Sequence, residues 1–240
     1  MKRIGAAPNV RLACQTRPTM PLEITPLMAP DIDVESEWRE GGVSGEEREI
    51  VALFVDLRAS SQLSERHLPY DVLFILNRFF LEMSDGLRDT RGHYAQFEGD
   101  GLLALYGLES DLRQGCRDAL QGAAKMQERV NSLNEQLKNE LKQPLRIGIG
   151  IHCGQAIVGT MGPPGAPNYS AIGDCVNSAA RLQTATKDFG CVMVVSKEVA
   201  KNAAFNLDTF DQHIIQVRGR QKSIQVFAVA DPRQVMENRD

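Results

Sequence analysis

The chain has 240 residues, of which 42% are hydrophobic, and its formal net charge at pH 7 is −4. This length and apolar content are sufficient for a globular protein with a full hydrophobic core. The acidic balance argues against a nucleic-acid-binding protein, because such binding depends on an excess of basic residues that neutralise phosphates.

The sequence gives no sign of a membrane span, a secretory signal or a disulfide framework. No apolar run approaches the roughly 18 residues that a bilayer-spanning helix needs, and the N-terminus lacks the apolar core of a signal peptide. The cysteines are odd in number, without a C-x-x-C pair or a metal-ligand spacing. They are Cys14, Cys116, Cys153, Cys175 and Cys191. We therefore expect a cytoplasmic protein with reduced thiols that makes no membrane contact itself.

Proline and acidic residues are concentrated in residues 1–45, which we interpret as a linker or tail. This segment holds five of the eleven prolines of the chain. Strand and helix signals then alternate over residues 46–230 and indicate one domain. Residues 231–240 are expected to form a short C-terminal tail.

The first half of the domain predicts a strand, a helix and a hairpin. Residues 50–55 form an apolar run that is typical of a buried strand. Apolar residues recur every three or four positions from Val72 to Leu87, which indicates an amphipathic helix. The runs 93–97 and 102–106 flank a Gly-Asp-Gly turn and predict a β-hairpin.

A long helix and a glycine-containing strand follow. An apolar stripe over residues 111–141 predicts the helix, which Pro144 would end. Residues 145–153 alternate strictly, with apolar side chains on one face and Gly148 and Gly150 on the other. Glycines inside a strand mark the close approach of a ligand or of another backbone, and we expect this face to line a cleft. A solvent-exposed polar face is the alternative.

The remaining predicted elements are a helix after Asp174, a short helix from Ser196, and strands near 192–195, 214–217 and 224–229. Strands and helices alternate, but the strands are not all parallel. We therefore predict an α+β sandwich with a mixed sheet and helices packed mainly on one face.

Two carboxylates stand at predicted strand ends, Asp56 after the first apolar run and Asp100 at the hairpin tip. In nucleotide enzymes, cations such as Mg²⁺ are usually held by one or two carboxylates and by the phosphates of the substrate. The pair therefore suggests a two-metal site for phosphoryl transfer. Each aspartate alone also fits a simpler role, because Asp commonly caps helices and Asp-Gly commonly forms turns.

Four segments, in order, resemble the catalytic domain of class III nucleotidyl cyclases of the bacterial adenylate cyclase type. They are 50–57 (IVALFVDL), 97–101 (FEGDG), 146–154 (RIGIGIHCG) and 171–181 (AIGDCVNSAAR). Four motifs in order are far more specific than any single one. The resemblance implies a ferredoxin-like palm fold that forms a head-to-tail homodimer, with the active site across the interface.

The resemblance also implies the roles of individual residues. One subunit would hold two Mg²⁺ or Mn²⁺ ions through Asp56, Asp100 and the Leu57 carbonyl. The partner subunit would contribute two catalytic residues, Asn177 to orient the ribose and Arg181 to neutralise the α-phosphate. Their spacing puts both on one face of a helix if Asp174 caps it. A solvated surface position is the alternative for Arg181.

The turn after the first strand is expected to bind the β- and γ-phosphates through backbone N–H groups at the start of a helix. Its Ala59 replaces the glycine that is usual in the family. The expected phosphate-binding residues are Arg58, Ala59, Ser60 and Ser61, together with Arg218 and Arg220. Arg218 and Arg220 lie near the region where family members place a triphosphate-binding lysine. The alternative is that either is a solvent-exposed arginine without a role in binding.

Gln96 and Ser170 occupy the two positions that select the base in this family. Adenylyl cyclases usually carry Lys with Asp or Thr there, whereas guanylyl cyclases usually carry Glu with a small residue. The Gln96 amide both donates and accepts, so it can serve either purine. We favour ATP as the substrate, because no acidic residue is present to accept hydrogen bonds from guanine.

The resemblance thus implies an adenylate cyclase that converts ATP to cyclic AMP and pyrophosphate in second-messenger signalling. One alternative is a guanylate or mixed-specificity cyclase. A second alternative is a catalytically inactive, nucleotide-binding regulatory domain.

The segment 11–18, around Cys14, looks like the end of a [2Fe–2S] ferredoxin's cluster-binding region. One cysteine cannot hold such a cluster. We therefore hypothesise a catalytic fragment of a longer protein that is fused to a ferredoxin-like domain or attached to a membrane. A chance cysteine in a disordered tail is the alternative.

Overall fold

The computed structural model describes residues 45–60, 63, 65, 68–161, 168–216 and 223–237. All of them belong to one compact unit that begins at Gly41. Several residues with predicted roles lie outside the described residues: Cys14, Ser61, Arg218 and Arg220.

The described strands form one sheet in the order β2-β3-β1-β4-β6-β8-β7, with β5 paired to β4. They are β1 (Gly45–Leu57), β2 (His93–Glu98), β3 (Gly101–Tyr106), β4 (Ile147–Met161), β5 (Asn168–Ile172), β6 (Met193–Ser196), β7 (Asp211–Ile215) and β8 (Ile224–Val229). The α-helices of the described residues are α1 (Pro69–Arg88), α2 (Leu112–Gln136), α3 (Asp174–Asp188) and α4 (Lys197–Ala203), and a 3₁₀-helix covers Pro232–Glu237. Strand β4 is parallel to β6, and the other pairs among the described strands are antiparallel. The predicted α+β fold class is confirmed.

Both faces of the central strand β1 are buried. Val51, Leu53 and Val55 belong to the core that β1 shares with α1, α2 and α4. Ala52 and Phe54 point the other way and pack with α3. Three of the four described helices therefore share one face of the sheet, as the sequence predicts, and α3 lies alone on the other.

The expectation that the glycine face of β4 lines a cleft is wrong, because helix α3 lies directly on it. A Cβ at Gly150 would lie 2.7 Å from Gln183 Cα, and one at Gly148 would lie 2.6 Å from Thr186 Oγ1. The glycines therefore admit the backbone of a helix, which is the other recognised reason for glycine inside a strand.

Helix α2 ends at Gln136, earlier than the predicted 141. Asn134 accounts for the difference, since its side chain donates to the Leu145 carbonyl at 2.9 Å and accepts from the Leu145 N–H at 2.7 Å. These two bonds turn the chain back toward β4. Pro144 lies in the loop beyond the helix and does not end it.

Strands β1 and β4 are longer than predicted because they pair along their whole length, from Gly45 with Gly159 to Leu57 with Ile147. Strand β7 starts and ends earlier than predicted, where it pairs with β8. No helix of the described residues is long and apolar enough to cross a lipid bilayer.

Candidate active site

Asp56 and Asp100 meet at one end of the sheet. Asp56 lies opposite Gly101 in the register of β1 and β3. The Leu57 N–H donates to the Asp100 carbonyl at 3.3 Å, which holds the hairpin tip against the end of β1. Position 101 requires glycine, because a Cβ there would lie 2.8 Å from the Val55 carbonyl oxygen. The fold therefore brings the two predicted carboxylates together.

The environment of Asp56 changes its proton affinity. Burial, followed by the charge of Asp100, raises the pKa of Asp56 to about 6. Lys187 and the Gln183 amide act in the opposite direction without cancelling the rise. A cation between the two carboxylates would favour the ionised form of both.

This carboxylate pair fits a divalent cation. Mg²⁺ and Mn²⁺ prefer oxygen ligands, and Asp56 and Asp100 supply up to four oxygens in one place. Among the residues the structure describes, no group of three or more His, Cys, Asp and Glu side chains could hold a metal ion. Further ligands would therefore have to come from the backbone, from water or from a phosphate-bearing substrate.

An open cleft begins at Leu57, the residue after Asp56. It is lined by the turn that follows β1 and by the loop before β4. Lys142 and Arg146 give its wall two positive charges. Neither residue is among those predicted from the sequence to bind phosphate. The signal that finds Arg146 is the antiparallel register, which puts the start of β4 beside the end of β1.

Arg58 forms hydrogen bonds with backbone carbonyls of its own chain. Its backbone N–H donates to the Arg146 carbonyl at 2.7 Å. Its guanidinium donates to the carbonyls of Thr186, at 2.9 Å, and Cys191. The Arg58 N–H and guanidinium thus already have partners within the chain and tie the turn to the end of α3. Phosphate binding by Arg58 stays a prediction.

The rest of the turn remains compatible with its predicted role. Ala59 and Ser60 line the cleft. Ala59 adopts φ +59°, in the left-handed region that glycine enters without strain. This explains in physical terms why glycine is usual at this position, and phosphate binding by the turn stays a prediction.

Gln96 and Ser170, the predicted base-selecting residues, lie on two segments that contact each other. The Asn168 side chain on β5 donates to the β2 backbone at Ala95, the residue before Gln96. Gln96 is exposed and Ser170 is buried. The fold thus brings the pair into the same region, while their role stays a prediction.

Asn177 and Arg181 lie on the exposed face of α3. Gly173 is the N-cap and Asp174 the first residue of the helix, so the predicted cap at Asp174 is wrong by one residue. The opposite face of α3 is buried and contains Gln183, which contacts Asp56. Within one chain, Asn177 and Arg181 therefore point away from the carboxylate pair.

Comparisons with known proteins identify the family of the chain. Residues 43–230 match the model of the adenylate and guanylate cyclase catalytic domain. An adenylate cyclase from Anabaena cylindrica is 28% identical in an alignment of 190 residues that covers 76% of this chain and 37% of that protein. The chain spans about a third of the length of the curated relatives it matches.

Solved cyclase structures have the same fold. The guanylyl cyclase Cya2 matches with a TM-score of 0.69 at 27% identity, over 78% of this chain and 93% of that one. The adenylyl cyclase CyaB from P. aeruginosa matches with a TM-score of 0.68 at 24% identity, over 79% and 97% of the two chains. Since the family model covers most of its length, the chain belongs to the adenylate and guanylate cyclase catalytic domain family.

Proposed function

We propose that the protein is an adenylate cyclase that converts ATP to 3′,5′-cyclic AMP and pyrophosphate in a second-messenger pathway. The observation that carries this proposal is the contact between Asp56 and Asp100 beside a cleft with a basic wall. Family membership defines the reaction class. The activity is that of a catalytic domain, which in a longer cytoplasmic or membrane-attached parent would be controlled by other domains.

Asp56 and Asp100, with the Leu57 carbonyl, would hold two Mg²⁺ or Mn²⁺ ions. When bound, such a metal pair activates the ribose 3′-oxygen for in-line attack on the α-phosphorus and stabilises the leaving pyrophosphate. The pKa of Asp56, about 6, means that the carboxylate is largely ionised at pH 7 and above, the form in which it binds a cation.

Arg146 and Lys142 would neutralise the β- and γ-phosphates of the substrate. Both lie on the wall of the cleft that begins at Leu57. The proposal requires the triphosphate to extend from the carboxylates past Leu57 toward them. Ala59 and Ser60 line the same cleft and would contribute backbone or hydroxyl donors.

A second copy of the chain would complete the site. Asn177 and Arg181 point away from their own carboxylates, so they can serve a nucleotide only on another copy. Ile157 on β4 and Ile172 on β5 face each other in the strand register and are 52% and 65% exposed, which supports self-association. In a two-fold dimer both copies contribute to both sites, so each dimer would contain two composite sites.

Subunit complementation tests this proposal. Asp56→Asn and Arg181→Ala should each be inactive as homodimers, because every site lacks one essential group. When equal amounts of the two variants exchange subunits, about half of the dimers contain one copy of each variant. One of the two sites in such a dimer is intact, so about a quarter of the wild-type activity should return. Cyclic nucleotide formation is the measurement. Mixed dimers that form, as shown with differently tagged copies, but remain inactive would contradict a composite site.

Base selection by Gln96 is testable with charged replacements. Gln96→Lys should raise the ratio of kcat/KM for ATP to that for GTP by about tenfold, and Gln96→Glu should lower it by about tenfold, since charged hydrogen bonds contribute about 1.5–3 kcal/mol. Purified protein with Mn²⁺ and each nucleotide gives the ratio. Gln155→Lys, at another exposed glutamine, should leave the ratio unchanged. An unaltered ratio in both Gln96 variants would remove Gln96 from the base site.

A guanylate or mixed-specificity cyclase is the second candidate. The neutral amide of Gln96 favours neither purine, and Cya2, at 27% identity, is a guanylyl cyclase. A wild-type preference for GTP in the same measurement would select this candidate. The intact Asp56, Asp100, Asn177 and Arg181 argue against an inactive regulatory domain.

A further inference from the structure

Gln183 contacts the carboxylate that the proposed function assigns to cation binding. Its side chain is buried, with 8% exposed, and its Nε2 donates to Asp56 Oδ2 at 3.4 Å. The two residues are 127 positions apart in the chain. The contact therefore depends on how α3 packs on the sheet.

The Gln183 amide is closely enclosed. Gly148 lies opposite Asp56 in the register of β1 and β4. A Cβ at Gly148 would lie 3.2 Å from Gln183 Nε2. The amide therefore fills the space that the missing side chain of Gly148 leaves beside the strand. Because the Gln183 amide is confined, its hydrogen bond holds the Asp56 carboxylate in one orientation.

The same end of α3 also holds the residue that follows Leu57. The Arg58 guanidinium donates to the carbonyls of Thr186 and Cys191, at and just beyond the last turns of the helix. The residues on both sides of Leu57 are therefore fixed to α3, one through a carboxylate and one through a guanidinium.

We infer that Gln183 is a positioning residue that fixes the Asp56 carboxylate in the orientation a divalent cation requires. This rests on the proposed function, which gives Asp56 its role as a cation ligand. Hydrogen-bond partners of metal ligands typically change metal affinity by about 10–100-fold when they are removed. Gln183 acts through Asp56, so its loss weakens cation binding without removing a ligand.

Direct Mn²⁺ binding tests the inference without requiring turnover. Gln183→Met keeps an unbranched side chain of similar length and removes the donor. Titration of the full chain with Mn²⁺ alone, followed by the electron paramagnetic resonance signal of the free ion, should give a Kd about tenfold above that of the wild type. The half-saturating Mn²⁺ concentration for cyclic nucleotide formation should rise by a similar factor, while the KM for the nucleotide at saturating Mn²⁺ stays unchanged.

Gln127→Met is the matched control, because it makes the same change on α2, where Gln127 Nε2 donates to Asn131. Its Mn²⁺ affinity should equal that of the wild type. Gln183→Asn retains an amide that is too short to reach Asp56, and it should show the same loss; it replaces the Met variant if that variant does not fold. Wild-type Mn²⁺ affinity in a folded Gln183 variant would overturn the inference. A wild-type protein that binds Mn²⁺ but forms no cyclic nucleotide would instead contradict the proposed function.

Discussion

Asp56→Asn is expected to lower cyclic nucleotide formation by at least about a thousandfold. A bound metal ion stabilises transition-state charge by several kcal/mol, and about 1.4 kcal/mol corresponds to a factor of ten in rate. Asn keeps the size of the side chain and one oxygen but removes the charge that holds the cation. Steady-state turnover with saturating Mn²⁺ and ATP measures the loss.

The same substitution is expected to stabilise the metal-free protein at pH 7.5. The pKa of Asp56 is raised from its ordinary value of 3.8 to about 6, so the folded state binds this proton more tightly than the unfolded state does. The contribution of Asp56 to stability is therefore favourable at low pH and is lost as the pH rises from about 3.8 to about 6. Asn cannot ionise and avoids this loss.

Thermal unfolding at two pH values separates the two effects. The melting temperature of Asp56→Asn should exceed that of the wild type at pH 7.5 and should approach it as the pH falls below 3.8. Asp208→Asn, at an exposed aspartate beyond α4, should change neither activity nor melting temperature. Full activity in Asp56→Asn would show that the cation site lies elsewhere.

Gly150→Ala is expected to remove most of the activity and to lower the free energy of unfolding by about 3 kcal/mol. The new Cβ would meet three backbone atoms of α3 at less than 3.0 Å, among them Gln183 Cα at 2.7 Å. Backbone atoms cannot rotate away, so the whole helix must move off the sheet. That movement would displace Gln183 from Asp56 and shift the exposed face of α3.

Gly86→Ala provides the matched control for this substitution. Gly86 lies inside α1, where an added Cβ would meet its nearest atoms at 3.5 Å, an ordinary van der Waals distance. Alanine should stabilise the helix by about 0.5–1 kcal/mol and leave turnover intact. Urea denaturation gives both free energies. An unchanged stability in Gly150→Ala would show that α3 does not lie on β4 as described.

Local sequence patterns were sufficient to predict those parts of the site that a single segment of the chain forms. The alternation of residues around the Gly-Asp-Gly turn predicts the hairpin, and the end of the first apolar run predicts where Asp56 lies. The family motifs also predict that Asp56 and Asp100 belong to one site, and the register of β1 with β3 brings them together.

Features that depend on distant packing were not accessible from these patterns. Nothing near Gly150 indicates that a helix backbone, and not a ligand, covers it. Arg58 contacts Thr186 and Cys191 over 128 and 133 residues, so its sequence neighbours give no hint of these partners. Arg146 becomes visible only once the register of β1 and β4 is known.

The two faces of α3 have a consequence for communication within the proposed dimer. One face touches Asp56 of its own chain through Gln183, and the other presents Asn177 and Arg181 outward. In the proposed dimer, the 15-residue helix α3 would therefore lie between two reaction centres. Nucleotide that draws Arg181 toward one centre would pull on the carboxylate of the other, so the two halves of the dimer would not turn over independently.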